Sequence, residues 1–201
     1  MLTRLREIVE KVASAPRLNE ALNILVTDIC LAMETEVCSV YLADHDRRCY
    51  YLMATRGLKK PRGRTVTLAF DEGIVGLVGR LAEPINLADA QKHPSFKYIP
   101  SVKEERFRAF LGVPIIQRRQ LLGVLVVQQR ELRQYDESEE SFLVTLATAY
   151  LRYAVCGCCL CIKNANCYHY SFSNTRNRNE ISVSSWDSAA RRSAPPRGVF
   201  Q

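Results

Sequence analysis

The sequence predicts an α+β domain: a central antiparallel sheet with helices packed on it from the chain ends, and a glycine-rich helix plus a lid loop over a pocket. Near both ends of residues 1–148, apolar residues recur at helical spacing, which predicts amphipathic helices. Between these ends, apolar and polar residues alternate in runs separated by turn residues, which predicts sequential hairpins. Sequential strands with helices gathered at the ends are typical of α+β folds.

Two helices come first. Residues 2–13 predict one, and a second begins after Pro16, which suits a first helical turn. The second helix carries an apolar seam over four turns, at Leu18, Leu22, Leu25, Ile29 and Met33. This seam packs either on the domain's own sheet or against the same helix of a second copy, so a homodimer through the terminal helices is one of two predicted arrangements.

Strand patterns begin at residue 37. Cys38, Val40 and Leu42 share one face of a first strand, 37–43, which pairs with a second strand, 49–55, across a polar turn. The basic loop at 59–64 is interpreted as a solvated loop, and a short strand, 65–68, follows it.

A helix with three glycines on one face comes next, at Gly73, Gly76 and Gly79. Glycine lowers helix stability, so we expect the backbone to approach the sheet or a ligand closely there. A brief strand, 85–89, leads into a long loop that we interpret as a functional lid.

The last elements are a hairpin and a helix. Aliphatic strands at 107–116 and 121–129 are suited to the centre of the sheet. Asp136 and Glu139 form a capping-box pattern before a closing helix whose apolar face continues to Tyr150.

Charge is distributed unevenly along the chain. Residues 1–148 hold 21 Lys and Arg against 19 Asp and Glu, and residues 149–201 hold 7 against 2, so most of the net +7 belongs to the last part. Arginines scattered in a polar end are unlike a DNA-binding face, so no nucleic acid partner is predicted. The N-terminus lacks a secretory pattern, and the longest aliphatic run, 121–127, is too short to span a membrane. We predict a cytoplasmic protein without a membrane partner.

The cysteines and histidines indicate no reaction centre. Cys30, Cys38 and Cys49 stand singly in apolar segments and are expected in the core. The other cysteines crowd into 156–167 without two separated Cys-x-x-Cys arms, so neither a zinc nor an iron–sulfur site is predicted. We interpret 149–201 as a divergent, disordered or aberrant tail, the product of an insertion or a frame shift. No catalytic role is predicted for the three histidines, which are His45, His93 and His169.

Four segments together resemble a GAF domain: Gly-Ile-Val-Gly at 73–76, Pro-Ile-Asn-Leu-Ala-Asp at 84–89, Phe-Leu-Gly-Val-Pro-Ile at 110–115, and Leu-Gly-Val-Leu-Val at 122–126. More narrowly, residues 1–148 resemble the N-terminal segment of the nitrogen-branch phosphoenolpyruvate-protein phosphotransferases, the nitrogen-specific enzyme I family. That resemblance implies an enzyme that autophosphorylates on a histidine from phosphoenolpyruvate with magnesium and passes the phosphoryl group to a small phosphocarrier protein. It also implies that the GAF domain adjusts this activity, with glutamine the usual proposed signal.

Residues 149–201 depart from that family, in which a swivelling phosphohistidine domain and a phosphoenolpyruvate-binding barrel should follow. No remaining segment supplies the cationic and metal-bound groups that phosphoryl transfer needs. The expectation is a regulatory domain truncated after about residue 148, without enzyme activity or a cofactor in this chain. Magnesium and the phosphocarrier protein are implied for full-length members of the family.

A GAF pocket lies between the sheet and the lid region, which implies eight candidate ligand-binding residues: Tyr41, Thr55, Asn86, Asp89, Phe96, Tyr98, Arg108 and Phe110. We expect Arg108 to bind the carboxylate of an effector such as glutamine in a forked contact, and Asp89 or Asn86 to accept from its ammonium group.

Two other functions stay open from the sequence. A GAF-type free methionine sulfoxide reductase would require a thiolate of low pKa beside a resolving thiol, whereas Cys30 and Cys38 lie in apolar segments. A module that only dimerises through its terminal helices is the other.

Overall fold

The structure, a computed structural model, describes residues 2–59, 65–97 and 107–148. The predicted tail, with its cysteine cluster and His169, lies outside these ranges. In chain order the elements are α1 (Leu2–Ala13), α2 (Leu18–Ala32), β1 (Val37–Asp44), β2 (Cys49–Arg56), β3 (Thr67–Ala69), α3 (Gly73–Leu81), β4 (Ile85–Leu87), a 3₁₀ turn (Ala90–Lys92), β5 (Ala109–Gln117), β6 (Gln120–Gln129) and α4 (Glu137–Leu146).

The six strands form one antiparallel sheet in the order β3-β2-β1-β6-β5-β4, which confirms the predicted α+β class. Both predicted hairpins, β1–β2 and β5–β6, are present, and the aliphatic β5–β6 pair lies inside the sheet. Two short strands differ from their predicted bounds. β3 begins two residues later, because Val66 only lends its carbonyl to the Leu52 N–H (3.0 Å) before regular pairing starts at Thr67. β4 ends at Leu87, because the backbone turns into the 3₁₀ segment from Asp89.

Strands β1, β5 and β6 are covered on both faces, so alternate residues enter two different apolar cores. Cys38, Leu111 and Val127 belong to the core beneath α1, α2 and α4. Tyr41 and Phe110 belong to the core beneath α3. The alternation predicted for β1 is therefore confirmed, and it decides which core each side chain joins.

The α2 seam packs inside the domain. Leu22, Leu25, Ile29 and Met33 are each 2% exposed or less in the single chain. Packing on the domain's own sheet, the first of the two predicted arrangements, accounts for the seam. These four side chains are therefore not available to a second copy. None of the helices in the described ranges combines the length and apolar character needed to cross a membrane.

The capping box predicted for α4 is confirmed. An Asp136 carboxylate oxygen accepts from the Glu139 N–H (2.9 Å), and a Glu139 oxygen accepts from the Asp136 N–H (3.0 Å). Arg133 also pairs with Glu139 and donates to the Met33 carbonyl (3.4 Å). These contacts join the start of α4 to the end of α2.

Close approach explains two of the three α3 glycines. A β-carbon on Gly76 would lie 2.7 Å from the Phe70 carbonyl oxygen, and one on Gly79 would lie 1.9 Å from the hydroxyl of Tyr50 in β2. Tyr50 is 1% exposed, so the ring is held in place by its surroundings. At Gly79, the expected close approach is therefore to the sheet.

We predict that Gly79→Ala lowers stability although alanine is the better helix former. The clash should cost about 1–3 kcal/mol, against a propensity gain of at most about 1 kcal/mol, and thermal unfolding measures the balance. In a Tyr50→Phe background the closest clashing atom is absent, so the same substitution should cost less. An equal cost in both backgrounds would show that the Tyr50 contact does not set this position.

Candidate functional site

A small cavity lies between α3 and its face of the sheet. Its floor comes from Leu68, Phe110 and Gln128, and α3 covers it with residues 73–75. Ala90, Phe96 and Lys97, from the 3₁₀ turn and the loop after it, complete the lining. The volume is about 20 Å³, which suits a water molecule and is far below the space that an amino acid occupies. A metabolite therefore enters only if part of this wall moves.

The wall is fastened to α3 by an ion pair. Lys97 Nζ lies 2.9 Å from Glu72 Oε1, and the other Glu72 oxygen accepts from the Ala69 N–H (3.0 Å). These two contacts, with the backbone bond the larger, lower the pKa of Glu72. Because the Lys97 side chain is exposed, this ion pair can break without disturbing the core.

A forked ion pair joins the strand on the cavity floor to the loop on the cavity wall. Arg108 donates to Asp89 through Nε (3.3 Å) and through a terminal nitrogen (2.5 Å). The Ala90 N–H donates to the Arg108 carbonyl (2.6 Å), so backbone and side chain hold the same junction. Lys92 lies 3.6 Å from Asp89 as a second cation.

The charges of this pair satisfy each other. The hydrogen bonds from Arg108 are the largest cause that holds the pKa of Asp89 below its ordinary value of 3.8. Arg108 and Asp89, which the sequence assigns to the carboxylate and the ammonium of an amino acid, are therefore each bound to the other. A zwitterion would replace both halves of the pair at once, which conserves the number of charge-assisted contacts.

The structure brings part of the predicted site together. Phe96 and Phe110 line the cavity, and Asp89 and Arg108 adjoin it through Ala90. Tyr41 is buried in the core on the cavity's side of the sheet without lining the cavity. Tyr98 lies outside the described residues.

Two predicted residues have other partners. The Asn86 side chain donates to the Tyr135 carbonyl (2.8 Å) and accepts from its N–H (3.3 Å), which fixes the segment before α4. The Thr55 hydroxyl shares a 2.8 Å hydrogen bond with Ser39. These contacts show structural roles for Asn86 and Thr55.

Sequence reasoning missed Gln128, a buried amide on the cavity floor with 4% exposure. The alternation of β6 contains the signal, because Val124, Val126 and Gln128 face the same side. Gln128 also stands opposite Phe110 in the β5–β6 register. A polar residue in phase with buried valines indicates a polar group inside a core.

Metal-binding and thiol chemistry lack a built site in the described ranges. No three His, Cys, Asp or Glu side chains there come together to hold a metal ion. His45 Nε2 lies 2.7 Å from the Leu121 carbonyl and so links two hairpins, and His93 Nδ1 accepts from the Ser95 N–H (3.1 Å) within a local turn. Burial raises the pKa of the Cys30 and Cys38 thiols, which disfavours the thiolate that catalysis requires.

We predict that the Asp89–Arg108 pair makes stability depend on acid. A carboxyl whose pKa is lower in the folded chain stabilises the fold above its unfolded pKa, and this contribution is lost as pH falls through the folded value. In urea titrations between pH 7 and pH 2, Asp89→Asn should therefore be less stable than the unchanged chain at pH 7 and approach it at low pH. Arg108→Gln should behave similarly. A constant gap at all pH values would contradict the assignment.

Known proteins agree with this architecture. The family model "GAF domain" matches residues 17–150. A phosphoenolpyruvate-dependent phosphotransferase system protein of Escherichia coli strain K12 is 99% identical over 148 residues, which is 74% of this chain. The chain spans 20% of the length of that relative.

Solved structures give the same result. The GAF domain of a phosphoenolpyruvate-protein phosphotransferase from Coxiella burnetii has a TM-score of 0.73 and 44% identity, over 82% of this chain and 96% of that one. A free methionine-R-sulfoxide reductase from Neisseria meningitidis has a TM-score of 0.63 with 21% identity, over 71% and 81% of the two chains, and shares the fold alone. The chain belongs to the GAF domain family, as the GAF domain of a phosphoenolpyruvate-protein phosphotransferase.

Proposed function

We propose that this chain is a regulatory domain that binds a small zwitterionic metabolite, with glutamine the first candidate, and that phosphoryl transfer resides in the remainder of longer phosphotransferases. The observation that carries the proposal is the self-satisfied Asp89–Arg108 pair at the edge of a small cavity. An α-amino acid offers a carboxylate to the arginine and an ammonium to the aspartate. The pair therefore acts as an internal substitute for the ligand.

The sheet register supports an amide-bearing side chain. Arg108 directly precedes β5, and its N–H donates to the Gln129 carbonyl (2.8 Å), so the extended pairing reaches it and places its side chain on the same face as Phe110, two residues later. Phe110 stands opposite Gln128. This spacing separates the ion pair from Gln128 by about 7 Å along the strand, which is comparable with the reach of glutamine. The buried carboxamide of Gln128 makes this part of the cavity floor polar, which suits the amide of a ligand better than an apolar group.

The small volume of the cavity supports sensing rather than static binding. Admission of a ligand requires the loop ending in Lys97 to part from α3, where Glu72 holds it. A ligand therefore has different affinities for the arrangement in which Lys97 pairs with Glu72 and for one in which they are apart, which is the condition for shifting a conformational equilibrium.

We predict that glutamine stabilises the chain and that Arg108→Gln weakens binding at least about tenfold, because a forked contact with the carboxylate is lost. At ten times its Kd, glutamine should contribute about 1.4 kcal/mol and raise Tm by roughly 3–6 °C. Isothermal calorimetry and thermal unfolding measure both effects. Arg130→Gln is the matched control, because Arg130 pairs with Glu36 (3.2 Å) and does not line the cavity.

Methionine sulfoxide, asparagine and glutamate serve as competing ligands in the same titrations. An unchanged Tm at about 10 mM glutamine, which is about ten times a Kd of 1 mM, or equal affinity of the Arg108→Gln variant, would remove the proposed ligand contact.

Thiol reactivity tests the reductase alternative. Because burial raises the pKa of Cys30 and Cys38, both should be alkylated by iodoacetamide at pH 7.5 at least about tenfold more slowly than in urea. Residue-resolved mass spectrometry separates them from the cysteines beyond residue 148. Fast alkylation of either thiol in the folded chain, accompanied by thiol-dependent reduction of free methionine sulfoxide, would favour the reductase instead.

A further inference from the structure

The sheet topology brings two hairpin turns to one end of the domain. β1 and β6 are antiparallel neighbours, and Leu42 near the end of β1 pairs with Gly123 near the start of β6. The β1–β2 turn, 45–48, therefore lies beside the β5–β6 turn, 118–119, and the 2.7 Å contact of His45 Nε2 with the Leu121 carbonyl joins them. Because each turn lies between the two strands of its hairpin, their centres are about 10 Å apart.

The C-terminal end of α3 covers the same end of the sheet. Gly79 packs against Tyr50 and Leu121, each the second residue of its strand. Arg80 and Leu81 follow, and Leu81 is 54% exposed. The two turns and the end of α3 together carry five exposed arginines and are called here the arginine end: Arg47, Arg48, Arg80, Arg118 and Arg119.

Arginines elsewhere in the described ranges all have partners. They bind carboxylates or backbone carbonyls and are Arg4, Arg6, Arg17, Arg56, Arg108, Arg130 and Arg133. At the arginine end only Arg47 is engaged, with Tyr51 (2.8 Å) and Asp44. In the described part of the chain, the other four guanidinium groups have no hydrogen bond or ion pair. Within the described ranges, the free guanidinium groups are thus collected in one place, and Asp44, Asp46 and Glu83 are the carboxylates nearest to them in the sequence.

The backbone at this end is less stable than an ordinary turn would be. Arg118 and Arg119 form a two-residue hairpin turn in which both φ angles are positive, 48° and 64°. Asn-Gly is the favoured pair for such a turn, and a long side chain there costs stability. Arg48 (φ 53°) and Ala82 (φ 56°) have the same conformation. Costs of this kind concentrate where a residue serves contact rather than folding.

Net charge distinguishes among the surfaces that could bind the arginine end. Residues 149–201 carry seven cationic against two anionic side chains, so that segment is repelled by the arginine end. A second copy facing it with the same surface would also place cation against cation. The exposed Leu81 beside unpaired arginines resembles a protein interface, in which arginine and apolar anchors are enriched, more than a nucleic acid surface.

We infer that the arginine end docks on an acidic protein surface in the remainder of the longer phosphotransferase polypeptide. This inference rests on the proposed function, because a regulatory domain must contact the part that it regulates. The E. coli relative supplies the probe, since 148 of its residues match this chain at 99% identity and four-fifths of its length lies outside the match.

Arginine labelling with phenylglyoxal tests the contact without any metabolite. In the full-length E. coli relative, the counterparts of Arg48, Arg80, Arg118 and Arg119 should react at least about fivefold more slowly than in the 201-residue chain. Raising NaCl to about 0.5 M should restore much of the labelling rate in the full-length relative, because salt screens ion pairs at the edge of a protein interface. Arg17 is an exposed arginine outside the arginine end that pairs with Glu20 (3.9 Å), and it should react equally in both proteins.

A double substitution separates docking from folding. Arg118→Asn with Arg119→Gly should raise Tm by roughly 2–5 °C, because the new residues suit the turn. The same pair in the full-length relative should lose the protection of the arginine-end residues that remain. Arg17→Gln in each protein removes a charge outside the arginine end and should change neither result.

Equal labelling of the arginine end in the two proteins would overturn the inference. Protection in the 201-residue chain by duplex DNA at about 0.15 M salt, or protection that grows with its own concentration, would overturn it in favour of nucleic acid or self-association. Glutamine binding does not enter these measurements. If glutamine did not bind, the proposed ligand would be wrong, but protection of the arginine end from labelling would still support the docking inference.

Discussion

Burial of the central strands on both faces is the constraint on which the other features depend. Because β1, β5 and β6 have an apolar core on each side, every residue in them is committed to one layer or the other by its position in the alternation. Leu111 and Val127 face the terminal helices, and Phe110 and Gln128 face α3. A shift of one residue in the β5–β6 register would exchange these sets and place aliphatic side chains where the cavity has an aromatic ring and an amide. The cavity is thus a consequence of strand pairing.

The same alternation explains how far sequence reasoning reaches. Local patterns identified the four α-helices of the described ranges and the two main hairpins. Amphipathic spacing, turn residues and the Asp136 capping box each involve residues that are close together in the sequence. Asn86 is predicted in the pocket because a GAF pocket lies between the sheet and the lid region, but its amide binds Tyr135, 49 residues away, and no local pattern indicates that contact. Phe96 and Phe110 line the cavity, and Asp89 and Arg108 adjoin it as an ion pair. The ion pair between Asp89 and Arg108 depends on their distance in the folded chain, which their spacing in the sequence does not give.

Helix α3 contributes to both regions of interest. Its first turn covers the cavity at residues 73–75, and its last residues join the arginine end. Nine residues of helix separate these functions by about 13 Å. Gly79 fixes the far end against Tyr50, whereas Glu72 at the near end is held to the loop by an exposed lysine. The structure therefore combines a rigid attachment to the sheet at one end of α3 with a partly exposed ion pair at the other end, and the proposed sensing role would use this difference.

The central claim is that Asp89 and Arg108 bind each other in place of a ligand. A crystal structure of the chain grown with millimolar glutamine tests it most directly. The account predicts an enlarged cavity, the glutamine carboxylate on Arg108, its ammonium on Asp89, and the direct bond between the two side chains broken. Bound glutamine beside an intact Asp89–Arg108 pair would contradict it.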